Sequence, residues 1–123
     1  MADSRLHTLF ESFSSAGADP ALGECFADPF VVADTDGARP VSRAAFLQAL
    51  PRRAQAFADA GVGRAALTSL TESRIDDNYL LIRTEWECAR LAGGDPLRLA
   101  SSFLVRDDGD RLEILLYLNH AGL

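Results

Sequence analysis

Residues 79–120 read YLLIRTEWECARLAGGDPLRLASSFLVRDDGDRLEILLYLNH, three runs in which apolar and polar residues alternate. This period of two is typical of half-buried β-strands, because successive side chains point to opposite faces of a sheet. Gly and Asp at 92–95 and 107–110 favour tight turns between the runs. We therefore predict a three-stranded antiparallel meander with one apolar face. The residues assigned to that face are Leu80, Ile82, Thr84, Trp86 and Cys88, then Leu97, Leu99, Ser101, Phe103 and Val105, then Leu112, Ile114, Leu116, Leu118 and His120.

The chain before residue 79 predicts three helices, a short strand at Phe30–Asp34 and a further strand at Arg64–Ser73. Pro51 either kinks the third helix or begins a new helical segment. This order predicts a single α+β domain over residues 1–123, in which the helices cover the apolar face of the sheet. The predicted helix stripes are Leu6, Leu9, Phe10 and Phe13, then Leu22, Cys25 and Phe26, then Phe46, Leu47 and Leu50 after a cap at Ser42.

The composition excludes several classes of partner. The net charge is −6 and the chain has no basic cluster, so we expect it to bind neither nucleic acid nor an anionic membrane. Cys25 and Cys88 have no partner at CxxC spacing, and both are interpreted as small buried hydrophobic residues. No His, Asp and Glu cluster indicates a metal, and no cofactor is expected. No signal-peptide pattern or membrane-spanning apolar run is present, so we expect a cytoplasmic protein.

The chain resembles the nuclear transport factor 2-like superfamily in its element order, in the segment Phe26–Gly37 and in the closing hairpin Phe103–His120. This superfamily includes ketosteroid isomerases and SnoaL-type polyketide cyclases. The resemblance covers nearly the whole chain. It implies a cone-shaped fold, in which a curved antiparallel or mixed sheet wraps around N-terminal helices and encloses a pocket. It also implies that Asp34 occupies the position of the proton-shuttling carboxylate. Phe10 and Ser101 stand where isomerase-like members carry the tyrosine and the buried acid that bind an oxyanion.

Asp34 and His120 are the candidate catalytic residues. A carboxylate or an imidazole on the inner face of an apolar pocket serves as a general acid or base. A second interpretation stays open for each of them: Asp34 is an ordinary turn residue facing water, and His120 is a structural residue near the chain end. The predicted pairing puts Ser101 opposite Leu116, and a slip of one residue would undo it. The predicted pocket-lining residues are Phe10, Trp86, Ser101, Phe103 and Leu118.

The opposite face of the meander is also apolar, which is unusual for a one-sided sheet. A contiguous apolar strip indicates a buried partner surface, and members of the superfamily that the chain resembles commonly dimerise through this face. We therefore predict a two-fold homodimer. The predicted interface residues, next to Tyr79, are Leu81, Leu104, Leu115 and Tyr117.

Two functions remain open at this point. The first is a cofactor-independent isomerase, cyclase or dehydratase that acts on a small apolar molecule with Asp34 as acid or base. The second is a non-catalytic domain that binds a small apolar ligand or assembles as a dimer. The fold alone does not choose between them, because one scaffold hosts many activities.

Overall fold

The structure is a computed structural model that describes residues 5–6, 8–10 and 25–121. Residues 5–6 and 8–10 are helical, as predicted for the first helix. Phe13 and most of the predicted second helix lie outside the described residues. The helical assignment of Phe26 is wrong, because this residue begins the first strand. The elements that follow are β1 (Phe26–Asp34), β2 (Gly37–Val41), α1 (Arg43–Asp59), β3 (Val62–Arg74), β4 (Tyr79–Arg90), β5 (Leu97–Asp107) and β6 (Leu112–Ala121).

The described strands form one six-stranded sheet in the order β2-β1-β6-β5-β4-β3. β1 pairs with β6 in parallel, and the other neighbours are antiparallel. The predicted α+β class and mixed sheet are therefore confirmed. The sequence does not predict β2, because residues Gly37–Val41 include a proline and show no alternation.

The helix α1 lies against the inner side of β1. The hydroxyl of Ser42 caps it, as predicted, by accepting from the backbone N–H of Ala45 at 3.1 Å. The helix continues through Pro51 without a break in its assignment, so Pro51 does not start a separate element. The ring of Phe46 lies 4.6 Å from that of Phe26, which anchors the helix to the sheet in an aromatic cluster.

The predicted faces of β4 and β5 are confirmed. Every second residue of β4 from Leu80 to Cys88 is buried, and so are Ser101, Phe103 and Val105 of β5. The turn between these strands contains two glycines with positive φ, as their sequence indicated. The register pairs Thr84 with Ser101, so the two hydroxyl side chains lie side by side on the inner face.

β6 contains one residue more than its partner strand at its midpoint. Val105 pairs with Ile114 and Leu104 pairs with Leu116, so Leu115 has no opposite residue in β5. This is a β-bulge, and an extra residue reverses the faces of all residues that follow it up to the next irregularity.

The predicted orientation of the second half of β6 is therefore wrong. Tyr117 was assigned to the outer face, but it is 5 % exposed and its ring lies 4.9 Å from that of Phe103 in the core. Ser101 pairs with Asn119 and not with Leu116. Leu118 and His120 lie on the outer face, because they alternate with the inward Tyr117 and Asn119.

We expect Tyr117→Ala to lower the free energy of unfolding by about 3–5 kcal/mol, the range for deleting a buried large aromatic side chain. Leu118→Ala is the matched control on the opposite face of the same strand, and its cost should be clearly smaller because Leu118 is only half-buried. Urea unfolding of the two variants measures the difference. Equal losses, or a larger loss for Leu118→Ala, would contradict the reversed faces.

Candidate functional site

Three buried polar side chains form a hydrogen-bonded cluster on the inner face of β4 and β5. The indole Nε1 of Trp86 donates to Oγ1 of Thr84 at 2.8 Å, and Oγ1 of Thr84 lies 2.9 Å from Oγ of Ser101. Thr84 is fully buried, and Ser101 and Trp86 are 5 % and 6 % exposed. We call these three residues the hydroxyl–indole cluster. The proximity of Trp86 to Ser101 agrees with the predicted turn at Gly93 and Gly94.

The hydroxyl–indole cluster continues toward β1 as a polar row across the inner face. Ser101 pairs with Asn119 of β6. Ala33 of β1 pairs with Leu118 in the parallel ladder, so the next residues, Asp34 and Asn119, occupy the next position of the same register. Thr84, Ser101, Asn119 and Asp34 thus lie at successive positions on four neighbouring strands.

Asp34 lies at the rim of this row, at the end of β1. Its Oδ1 accepts from the backbone N–H of Asp36 at 2.9 Å, and Nη1 of Arg39 lies 3.4 Å from its Oδ2. The side chain is 31 % exposed. Phe30 and Val32 of the same strand contact the core, so alternation puts Asp34 on the inner side. Asp34 therefore begins the turn, and it also borders the inner face.

His120 lies on the opposite face of the sheet from Asp34, so the two residues do not form one site. Its Nε2 lies 2.7 Å from Oγ of Ser102 on the outer face of the sheet. Leu118 also points outward, so the prediction that these two residues line an inner pocket is wrong in its geometry. The remaining predicted pocket residues point inward, and the rings of Phe10 and Phe103 contact each other at 4.6 Å.

Sequence reasoning missed two members of the polar row. Thr84 was correctly placed on the inner face, but it was given no role. Thr84 precedes Trp86 by two residues on the same face and lies opposite Ser101 of the next strand. This placement could have indicated that the three polar groups form hydrogen bonds with one another. Asn119 was assigned to the outer face, and nothing in the sequence marks the bulge at Leu115 that turns it inward.

An open groove of about 560 Å³ lies along β3, β4 and β5. Of the predicted pocket residues, Trp86 alone lines it. Its other lining side chains on β4 and β5 include the outward-facing Glu85, Glu87 and Arg98, so the groove is charged and differs from the apolar inner face. Next to the groove, on the same outer face of β4, Arg83 and Glu85 are each about half exposed, and Nη2 of Arg83 lies 3.7 Å from Oε1 of Glu85.

An ion cluster ties the first helix to the sheet. Nη2 of Arg5 lies 2.8 Å from Oδ2 of Asp107, and Nη2 of Arg74 lies 3.5 Å from the same oxygen. The backbone N–H of Gly109 donates to Oδ1 of Asp107 at 2.9 Å. The hydrogen bond from Arg5, followed by that from Gly109, lowers the pKa of the Asp107 carboxyl. The cluster holds the helix that carries Phe10 over the inner face.

Two further properties concern the residues that the structure describes. They contain no group of three or more His, Cys, Asp or Glu side chains arranged to hold a metal ion. They also contain no helix with the length and apolar character needed to cross a bilayer.

Comparison of the sequence with protein-family models and with curated proteins found no match. Solved structures do match. An NTF2-like protein with a cystatin-like fold from Novosphingobium aromaticivorans is 15 % identical with a TM-score of 0.72, over 95 % of this chain and 79 % of that one. An NTF2-like protein of unknown function from Shewanella oneidensis is 14 % identical with a TM-score of 0.67, over 96 % and 98 % of the two chains.

A third match is a hypothetical protein with a ketosteroid isomerase-like fold from Catenulispora acidiphila, in complex with trimethylamine. It is 18 % identical with a TM-score of 0.56, and the alignment covers 94 % of this chain and 85 % of that one. The chain therefore has the nuclear transport factor 2-like fold that its sequence resembles. At these identities the matches establish the fold and no specific activity.

We expect Asp107→Asn to lower the free energy of unfolding at pH 7 by about 1.5–3 kcal/mol, the value of hydrogen bonds to a charged group. Because the pKa of Asp107 is lower in the folded chain, its contribution is complete above the unfolded value, about 3.9, and is lost as the pH falls through the folded value. Urea unfolding from pH 7 down to pH 3 should therefore show the difference between wild type and variant shrinking. Asp110→Asn, in the same turn, is the control, and a pH-independent difference for Asp107→Asn would contradict the account.

Proposed function

We propose that the chain is a non-catalytic domain that binds a small apolar molecule on the inner face of its sheet. The observation that carries this proposal is the hydroxyl–indole cluster, a neutral polar group set among buried aromatic side chains such as Phe103. Ligand sites of this kind are mostly apolar and use a few fixed polar groups for orientation. The complex of the Catenulispora protein with trimethylamine supports a small-molecule ligand for this fold.

The contacts of the polar row favour binding over catalysis. The hydroxyl of Ser101 bonds to Thr84 and Trp86, and neither is a base that would activate it as a nucleophile. The carboxylate of Asp34 lies at the rim, where it already accepts from a backbone N–H and contacts Arg39. His120, the second candidate acid or base, is on the other face of the sheet.

A catalytic role for Asp34 is the second candidate function, and one observation favours it. Asp34 borders the inner face next to Asn119, so a ligand on that face would lie within reach of a carboxylate. A base at this position would abstract a proton next to a carbonyl group.

We expect indane, a hydrocarbon without hydrogen-bonding groups, to bind saturably and to shift the indole N–H signal of Trp86 in ¹H–¹⁵N NMR spectra. Trp86 is the only tryptophan, so the signal is unambiguous. Ser101→Leu fills the inner face and should weaken binding roughly tenfold or more, a loss of about 1.4 kcal/mol. Ser102→Leu, the neighbouring residue on the outer face, is the matched control. An unshifted Trp86 signal, or equal effects of both variants, would argue against an inner binding site.

The same titration separates the two functions. For a binding domain, Asp34→Asn leaves indane affinity nearly unchanged, and the protein does not speed the exchange of the α-protons of 1-indanone in D₂O. A catalytic Asp34 would accelerate that exchange, and Asp34→Asn would abolish the acceleration without a matching loss of affinity.

We also propose that two chains associate through the outer face. Leu81 pairs with Leu104, Leu104 with Leu116, and Leu116 with Val31, so an apolar row crosses four strands. Leu81 is 47 % exposed, which is high for a large apolar side chain in the middle of a sheet. In this interface Leu116 takes the place of Tyr117, which belongs to the core.

Light scattering at micromolar concentration should give twice the chain mass for the wild type and a shift toward the monomer for Leu81→Arg, because a charge in an apolar interface is costly to bury. Leu91→Arg is the control, since Leu91 is 74 % exposed in a turn outside the row. A monomeric wild type would refute the proposed dimer.

A further inference from the structure

The protons of the hydroxyl–indole cluster can be assigned from its contacts. Oγ1 of Thr84 lies 3.1 Å from the backbone carbonyl oxygen of Ser101, and this contact requires Thr84 to donate because a carbonyl oxygen only accepts. The indole N–H of Trp86 donates to Oγ1 of Thr84 at 2.8 Å, because an indole nitrogen has no acceptor capacity. The single proton of the Thr84 hydroxyl is thus committed to the carbonyl oxygen of Ser101.

This assignment fixes the direction of the third contact. Oγ of Ser101 lies 2.9 Å from Oγ1 of Thr84, whose proton is already in use, so Ser101 donates to Thr84. Thr84 then accepts twice, from Trp86 and from Ser101, and both of its acceptor positions are filled. The only proton of the Ser101 hydroxyl is therefore donated to Thr84, and the hydroxyl oxygen of Ser101 can still accept a hydrogen bond.

The remaining contact of Ser101 leaves this capacity largely unused. Nε1 of Trp86 lies 3.4 Å from Oγ of Ser101, against 2.8 Å from Oγ1 of Thr84, so the indole proton points mainly at Thr84. Asn119, the next residue of the polar row, carries both a donor and an acceptor and takes part in an interaction of its own, so the preference for a donor rests on Ser101 alone. The nearby rings of Phe10 and Phe103 offer neither.

We propose that the inner face selects ligands that carry a hydrogen-bond donor, a hydroxyl or N–H group, on an apolar body. The donor binds Oγ of Ser101 and the apolar body contacts the aromatic side chains. This polarity is the opposite of an oxyanion-binding site, which stabilises a carbonyl oxygen by donating to it. The inference rests on the proposed binding function and specifies the ligand class for that site.

The test compares 1-indanol with 1-indanone, which differ in having a donor hydroxyl or an acceptor carbonyl on the same ring system. Binding is followed by the shift of the Trp86 indole N–H signal. We expect the wild type to bind the alcohol roughly three- to tenfold more tightly, the effect of one net hydrogen bond. Ser101→Ala removes this acceptor and returns one acceptor position only to the fully buried Thr84, so it should lower the ratio of the two dissociation constants, and Ser102→Ala should leave it unchanged.

A second variant tests the proton assignment itself. Thr84→Val removes the group that fixes the Ser101 proton, so the freed hydroxyl can donate and the preference for the alcohol should fall. Equal or tighter binding of 1-indanone by the wild type overturns the inference, and so does an alcohol preference that survives both Ser101→Ala and Thr84→Val. If indane, 1-indanol and 1-indanone all fail to bind, the proposed function itself fails together with the inference. A reversed preference with normal indane binding refutes the ligand class alone.

Discussion

Leu115 of β6, which has no partner residue in β5, determines which side chains of β6 lie on the inner face of the sheet. Without this residue, the strand would alternate regularly and would present Leu116, Leu118 and His120 to the core. With it, Tyr117 packs on Phe103, and Asn119 lies beside Ser101. The bulge therefore places a neutral amide beside Ser101, where the pairing of Val105 with Ile114, continued without a bulge, would place Leu118. The functional groups on the inner face therefore depend on the one-residue shift at Leu115, because the side chains of the adjacent strands stay on their predicted faces.

Among the residues that the structure describes, the charged side chains that border the inner face lie at its edges, and the polar groups of the hydroxyl–indole cluster are neutral. Asp34 contacts Arg39 at the end of β1, and Asp107 contacts Arg5 and Arg74 at the end of β5. Between these ends, the hydroxyl–indole cluster satisfies its own donors. This separation is expected from the cost of burying an unpaired charge, which far exceeds that of burying a hydrogen-bonded hydroxyl. It is also the reason why we propose a binding role for the inner face rather than acid–base chemistry.

Much of this architecture could be predicted from the sequence, because strict alternation in β4 and β5 and the glycine turns specify faces and hairpins locally. The cap at Ser42 and the inward side of Trp86 are likewise local properties. The orientation of Tyr117 and His120 could not be predicted, because the leucines around position 115 allow either register, and contacts with Phe103 decide between them. The edge strand β2 was missed for a related reason: its pairing with β1 gives its five residues an extended conformation that their own sequence does not indicate.

The most direct test of the reversed faces is a nuclear Overhauser spectrum of the aromatic protons, which reports pairs of protons that lie close together in space. The reversed faces predict cross-peaks between the rings of Tyr117 and Phe103, and between the imidazole of His120 and the β-protons of Ser102. Cross-peaks from Leu116 to the Phe103 ring, together with their absence for Tyr117, would show an unbulged β6. In that case the neutral inner face, and the binding role built on it, would be contradicted.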